Sequence, residues 1–473
     1  MSAVNPPVQQ TYLPDETAFR RGLSSRHLRG RLWRGFFLLS IVLALFALLA
    51  LFYNVVNSSA GLIAVQFVIP PEEVIEGGDI SSASAEQLAA AIVEYRPNPA
   101  LVLIRNNISA VPADQFTTAP LSQVLAGRTI PEGAESLTIR ELSPEQVAAV
   151  MAANISPDVL RGFVDDEIIG LNVLETYTLT NSLLNRAAIE AQIAADIEAG
   201  ELPENTRLEF RWWLTGAFIS SGQSSDPVLA GIRTALIGTV WIVIVTVALA
   251  FPIGVGAAIY LEEYSAPQNP FAFRIARLIE TNIRNLAGVP SIIYGLLGLA
   301  IFVRTFEALT SGAIFGINDS NGRTILSASL TMSLLILPVI IINAQEAIRA
   351  VPSSIREASY GLGATKWQTI WKQVLPAAMP GILTGTILGM SRAIGETAPL
   401  VVIGASTAIF VDPNGPFSSF TALPIQIYQW TARPQAEFRA IAASAIIVLI
   451  TLLLLLNASA ILLRQYFRRR LQG

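Results

Sequence analysis

The stretch Pro352-Ser-Ser-Ile-Arg-Glu-Ala-Ser-Tyr-Gly-Leu-Gly-Ala-Thr-Lys-Trp-Gln-Thr-Ile-Trp-Lys-Gln-Val-Leu-Pro376 carries two helix starts. Ser354-x-x-Glu357 and Thr365-x-x-Gln368 are capping boxes eleven residues apart, in which each hydroxyl accepts a first-turn N–H and the N3 side chain reaches back. Gly361 and Gly363 supply the permissive backbone of a sharp turn between them. In the second helix Trp367, Ile370, Trp371 and Val374 fall at i, i+3, i+4 and i+7, one apolar face. Pro376 is expected to end that helix. Such an amphipathic pair either lies on a membrane interface or sits in a groove on another protein.

Its surroundings are apolar on both sides. A helix needs about 20 apolar residues, at ~1.5 Å rise, to cross ~30 Å of hydrocarbon. Ile325–Ile342 precedes the stretch, and Gly381–Gly404 follows it, interrupted by Arg392 and Glu396. Phe36–Tyr53, Ala235–Tyr260, Asn285–Val303 and Ile441–Leu463 bring the expected spans to six. Of 473 residues, 52% are apolar and 14% charged, against about 25% charged in a soluble domain. Arg20, Arg21, Arg26, Arg29, Arg31 and Arg34 precede the first span and put the N-terminus in the cytoplasm. Alternation then carries Arg274, Arg277 and Arg284, the 353–376 loop, and the Arg464 and Arg468–Arg470 tail to the same side. The flank after Tyr53 shows no clear small-residue cleavage pattern, so the first span reads as a retained anchor.

The expected organisation is a basic tail over 1–34, a span over 35–54, an extracytoplasmic insertion over 55–228, a five-helix core over 229–464 and a basic tail over 465–473. The insertion holds 23 Asp and Glu against eight Arg, a net of −15, inside a chain whose total is −4. Ser84-x-x-Gln87 and Ser143-Pro-Glu-Gln146 mark helix starts, and Ser182–Ala199 reads as a helix closing on Gly200. Leu101–Ile104 and Arg207–Trp213 read as β-like, giving an α+β expectation for this segment. Asp165-Asp166-Glu167 lacks the spacing of a calcium loop and reads as a solvated run.

Several chemistries are excluded. There is no cysteine and one histidine, His27, so thiol nucleophiles, disulfides, His-based proton transfer in the body of the chain and a Cys/His zinc site are absent. A phosphate-binding loop needs a glycine-preceded lysine followed by Ser or Thr. The two lysines follow Thr365 and Trp371, so the chain is not expected to be an enzyme that hydrolyses ATP.

Arg392 and Glu396 stand at i and i+4 on one expected helix face. Charges at mid-bilayer cost about 2.5–3.5 kcal/mol each on insertion scales and should face a bundle interior or a water-filled path. The pair reads either as an internal salt bridge or as an anion path, since a guanidinium fork suits phosphate oxygens. Gly381-x3-Gly385-x3-Gly389 reads as a helix-packing ridge. Pro290 and Ser291 either break or kink the third span, and Glu262 and Glu263 read as solvated flank charges.

Glu357-Ala358-Ser359-x3-Gly363…Leu375-Pro376 resembles the EAA motif by which ABC-importer permeases engage their ATPase subunits, with Ser359 and Gln373 as departures. Leu286–Gly295, Gly254–Tyr264, Ser391–Leu400 and Ala422–Tyr428 resemble the permeases of the phosphate (Pst) importer, and Gly-Glu-Thr-Ala-Pro-Leu400 its PstA-type subunit. The resemblance covers roughly 230–470 and does not account for the insertion.

It implies an all-α, six-helix permease of the type I, MetI-like architecture in the bacterial inner membrane. It implies a PstC-like permease partner, two PstB-like ATPase subunits carrying ATP-Mg, a PstS-like extracytoplasmic phosphate-binding protein, inorganic phosphate and membrane lipid, and no nucleic acid. No cofactor or metal is expected on this chain. The expected substrate-path residues are Arg392, Glu396 and Thr397. The expected ATPase-coupling residues are Glu357, Ala358, Gly363, Ala364, Trp367, Leu375 and Pro376. A permease for molybdate or sulfate, and a membrane-anchored sensor or scaffold using the insertion, stand as rival readings.

Overall fold

The computed structural model describes residues 16–75, 80–112, 115–265, 270–317, 322–404, 409 and 412–472. The first compact unit ends at Asn57 and holds most of helix α1 (Glu16–Ser58), apolar on every face across Phe36–Tyr53. Residues from Ser58 onward form the second unit. The extreme tails, 1–15 and Gly473, lie outside the described residues.

The second unit begins with a three-stranded antiparallel sheet, β1 (Ala60–Phe67), β2 (Leu171–Thr176) and β3 (Arg207–Trp212), with β1 in the middle. Alternation along β1 splits its side chains between two cores. Ile63 and Val65 pack with Trp213, Phe218, Trp430, Phe438 and Ile441. Leu62 and Ala64 cover Ile189 and Ile193. The central strand of the acidic segment is therefore buried partly against the helical half of the chain.

Between β1 and β2 lies a helical lobe, including α2 (Ala85–Tyr95), α3 (Pro97–Ile108), α4 (Pro144–Asn154) and α5 (Pro157–Phe163). Both expected capping boxes, Ser84 with Gln87 and Ser143 with Gln146, are closed in both directions. Leu88, Ile92, Ile104, Met151 and Leu160 fill its core. Leu101–Ile104 is helical rather than β, because Ala100, Ile104 and Ile108 recur every four residues on the buried side. The expected helix over Ser182–Ala199 is two, α6 (Leu179–Leu184) and α7 (Arg186–Glu198), separated at Asn185.

Among the described residues, five helices are long and apolar enough to cross a membrane, or six if one bent pair counts as a span. They are α1 and four of the second unit: α8 (Arg233–Ile259, continuing as a widened turn to Tyr264), then α11 (Ile325–Arg349), α13 (Lys366–Gly395) and α16 (Ala436–Gln472). The bent pair is α9 (Pro270–Ala287) with α10 (Ser291–Gly298), whose last turns widen through Leu299–Thr305. Of the two readings for the span over Asn285–Val303, a break or a kink at Pro290 and Ser291, the structure has the break, with a 106° bend, because Gly288 and Pro290 interrupt the i→i+4 ladder. Helices α12 (Ser353–Gly361), α14 (Ala398–Ile403) and α15 (Leu423–Thr431) complete the elements used below.

The glycine ridge is a packing surface, as its spacing predicts. Gly381, Gly385 and Gly389 lie on Ala347, Asn343 and Ile340 of α11. A Cβ at Gly385 would stand 2.2 Å from that of Asn343. Gly385→Val is expected to cost about 1–3 kcal/mol through forced separation of the two helices. Gly256→Ala, where a Cβ meets nothing within 4 Å, is expected to be neutral or to gain about 0.5–1 kcal/mol. Thermal unfolding of both variants in detergent checks the contrast.

Candidate functional site

The helix–turn–helix expected over 353–376 is present, with changed internal logic. Helix α12 starts after Pro352 without a side-chain cap, so the Ser354–Glu357 box does not form. Pro352 itself occupies the N-cap position, and its ring carries no acceptor for the first-turn N–H groups. Gly363 is the residue that takes the left-handed conformation, φ +81°. Thr365 and Gln368 then close their box at 3.3 and 2.9 Å.

Pro376 does not end the second helix. The turn Ile370–Val374 is widened to i→i+5 bonding, and such a bulge gives room for the pyrrolidine ring. The chain therefore runs on as one helix from Lys366 to Gly395. Its expected single apolar face is divided. Ile370 and Val374 are buried, whereas Trp367 and Trp371 stack on each other outside, ring centroids 5.5 Å apart.

Of the expected coupling residues, Glu357, Ala358, Gly363 and Trp367 are exposed. Ala358, Gly363 and Ala364 line an open groove of about 610 Å³ beside Leu362, itself 90% exposed. Leu375 is instead buried among Val255, Ile341, Ala344 and Ile382, and Pro376 is half-buried beside it. These two residues seat the element and do not reach its outer face.

A polar clamp invisible to sequence spacing holds the element. Glu262 and Glu263 are not solvated flank charges: the widened turn ending α8 sends them to two different elements. Glu262 accepts from Arg349 at 2.5 Å and from Gln345 at 3.3 Å. Glu263, whose side chain is 9% exposed, accepts from Arg356 of α12 at 2.8 Å. Arg356 also donates to the carbonyls of Ile348, in the last turn of α11, and of Val351, just beyond it. One guanidinium thus ties α12, α11 and α8 together. The adjacent acids after an apolar run were the signal available in the sequence; the partners stand 87 and 93 residues away.

The second cluster lies at the far end of α13. The expected continuous helix over Gly381–Gly404 is interrupted: α13 stops at Gly395, Glu396 is extended, and α14 begins at Ala398. Arg392 and Glu396 do form an ion pair, at 3.4 Å, across the last turn and its cap instead of mid-helix. Gly389 lies against Ile336 and Ile340, so Arg392, about one turn further on, stands near the midpoint of α11. The Arg392 side chain is 39% exposed, so within this chain it lies on an open face and not inside the helix bundle. Thr397 is half-buried at the break.

The two breaks meet. A Cβ at Gly295 of α10 would stand 2.7 Å from the Cα of Pro399 in α14, so the helix pieces after each break are in backbone contact. Tyr294 beside it donates to the carbonyl of Leu286, across the first break, at 2.7 Å. Ser391 donates to Asn457 at 2.7 Å and Arg464 to Thr384 at 3.1 Å, tying α13 to α16.

A bundle of long apolar helices, two of them interrupted beside an unburied ion pair, with a polar helix pair at one end, defines a polytopic membrane protein. Residues 250–473 match the family of binding-protein-dependent transport system inner membrane components. The chain is 34% identical over 225 residues to the phosphate transport system permease protein PstA 1 of Mycobacterium tuberculosis, covering 47% of this chain and 66% of that protein. It is 34% identical over 227 residues to PstA of Mycobacterium leprae, covering 48% and 67%. It is 35% identical over 207 residues to PstC of Pasteurella multocida, covering 40% and 60%. The chain thus spans about two thirds or less of the length of these relatives, and the acidic segment lies outside the family match. The chain belongs to the binding-protein-dependent transport system inner membrane component family, and its helical half has that permease fold.

Removing one side of the clamp leaves a buried charge without its partner. Arg356→Gln is expected to destabilise by about 3 kcal/mol, while Arg356→Gln combined with Glu263→Gln recovers most of the loss. Thermal unfolding midpoints of the two variants check this.

Proposed function

We propose that this chain is a permease subunit of an ATP-driven phosphate importer, with six spans, both termini in the cytoplasm and residues 55–228 outside. A homologous PstC-like permease completes the translocation path, two PstB-like ATPase subunits bind the 353–376 element, and a PstS-like protein delivers phosphate. ATP-Mg is held and hydrolysed on the ATPase chains.

One observation carries the reading. The helix that starts at the exposed coupling turn ends at the Arg392–Glu396 pair. Its 30 residues make a rod of about 45 Å. Displacement of α12 and the Gly363 turn by a closing ATPase dimer moves the start of that rod. The far end carries the guanidinium and the break. Arg392 offers planar paired donors to phosphate oxygens, and Glu396 holds the fork until the anion competes for it. Thr397 adds a hydroxyl beside them. The names of the 34–35% identical relatives support phosphate over other oxyanions.

Phosphate uptake by the reconstituted assembly tests this. Arg392→Gln is expected to lower uptake at least about a hundredfold with assembly intact; full transport by that variant would return the pair to a purely structural role. Gly363→Val forces a β-branched residue to positive φ, and is expected to release the ATPase or to leave hydrolysis without uptake. Unchanged ATPase co-purification and unchanged uptake would remove the coupling role.

A further inference from the structure

Helix α9 takes no part in the site described above. Its residues Phe273–Ala287 meet α10 and the widened turns behind it at a bend of 106°. That second piece lies along α11: Gly298 sits on Thr331, and Val303 shares a core with Ile325 and Met332. A helix set nearly square to pieces that run through the bundle lies across its end. This is the end where α8 and α11 stop, since Ala276 and Ile283 are buried in one cluster with Leu261, Ile348 and Val374. We propose that α9 lies in the membrane interface and binds the anionic headgroups of phospholipids.

Three faces set the chemistry. Ala276 and Ile283, with half-buried Glu280 between them, form the packed face. Phe271, Ile275 and Leu278 recur at i, i+4 and i+7 and leave apolar side chains open, Phe271 at 72% and Leu278 at 65% exposure. Arg274, Arg277, Thr281 and Arg284 make a third face, also exposed. A surface helix of a soluble domain has one apolar stripe, turned to the core, and a polar remainder. A second apolar stripe, open and flanked by arginines, is the pattern of a helix lying in the plane of the interface.

Charge selects the occupant of that open stripe. Arg284 is engaged with Glu280, the acid of α9, at 3.0 Å. Arg277 lies over the Phe273 ring at 5.7 Å, and Arg274 is exposed. Among the described residues neither meets a carboxylate within 4.0 Å. Two guanidinium groups without a counter-charge offer paired donors to phosphodiester oxygens, and the acyl chains below the headgroups cover Phe271, Ile275 and Leu278. Each arginine held close to an anionic membrane surface strengthens binding on the order of fivefold.

The chain has no cysteine, so a thiol-linked fluorophore can be placed at one position. Leu278→Cys, Ile275→Cys, Thr281→Cys and Leu454→Cys are labelled and reconstituted as full chains in phosphatidylcholine vesicles. Phosphatidylglycerol or phosphatidylcholine with brominated acyl chains, which quench on contact, is then titrated in. The labels at Leu278 and Ile275 are expected to be quenched, and the label at Thr281 to be largely spared. At Leu278, brominated phosphatidylglycerol is expected to reach half-quenching at a mole fraction at least about fivefold below that of brominated phosphatidylcholine. At Leu454, an exposed apolar position of α16, the two lipids are expected to act alike. Arg274→Gln/Arg277→Gln brings the ratio at Leu278 close to one, whereas Arg274→Lys/Arg277→Lys keeps most of it. Absence of quenching at Ile275 and Leu278, as when another polypeptide covers the stripe, would overturn the proposal. So would equal quenching by the two lipids at Leu278, or a preference untouched by the double Gln variant.

Discussion

The continuity of one helix constrains everything else in the helical half. Lys366–Gly395 survives a proline at its eleventh position because the turn before it is widened. Had Pro376 ended the helix, the Gly363 turn and the Arg392–Glu396 pair would sit on separate pieces joined by a flexible link. A hydrogen-bonded rod transmits a push along its axis; a hinge dissipates it. The glycine ridge lets this rod lie close against α11, and Ser391 and Arg464 hold it to α16 through single polar contacts.

The clamp around Arg356 adds the sideways connection. Helix α12 is tied to the turn that ends α8 and to carbonyls at and just beyond the end of α11 by one side chain, so it cannot shift alone without breaking a largely buried ion pair. At the opposite end the fold does the reverse and breaks helices on purpose. The interruptions at Gly288–Pro290 and at Glu396 bring irregular backbone together through Gly295 and Pro399. Unpaired backbone at depth is tolerated where it is covered by protein or faces a water-filled cavity.

The acidic segment is less independent than its composition suggests. Its helical lobe has a core of its own, but β1 places Ile63 and Val65 under Trp430 and Phe438. Gln223 in the connector accepts from the Ile409 N–H and donates to Gln426, while Arg233 and Thr234 hold Asp412. Ile409 and Asp412, which follow α14, are therefore bonded to Gln223 and to the first turn of α8.

Periodicity and local capping were legible in the sequence. The long apolar runs, the capping boxes at Ser84, Ser143 and Thr365, the turn at Gly363 and the ridge at Gly381–Gly389 depend on neighbours within about seven residues, so spacing alone determined them. Hydrophobicity could not distinguish a straight span from a broken one at Pro290 or Glu396, because a break changes hydrogen bonding and leaves apolar content as it was. The division of Trp367 and Trp371 from Ile370 and Val374, the partners of Glu262 and Glu263, and the exposure of Arg392 were decided by the tertiary structure. Each depends on which distant surface arrives opposite the residue, and that is set by packing across 80 residues or more, beyond the reach of local chain chemistry.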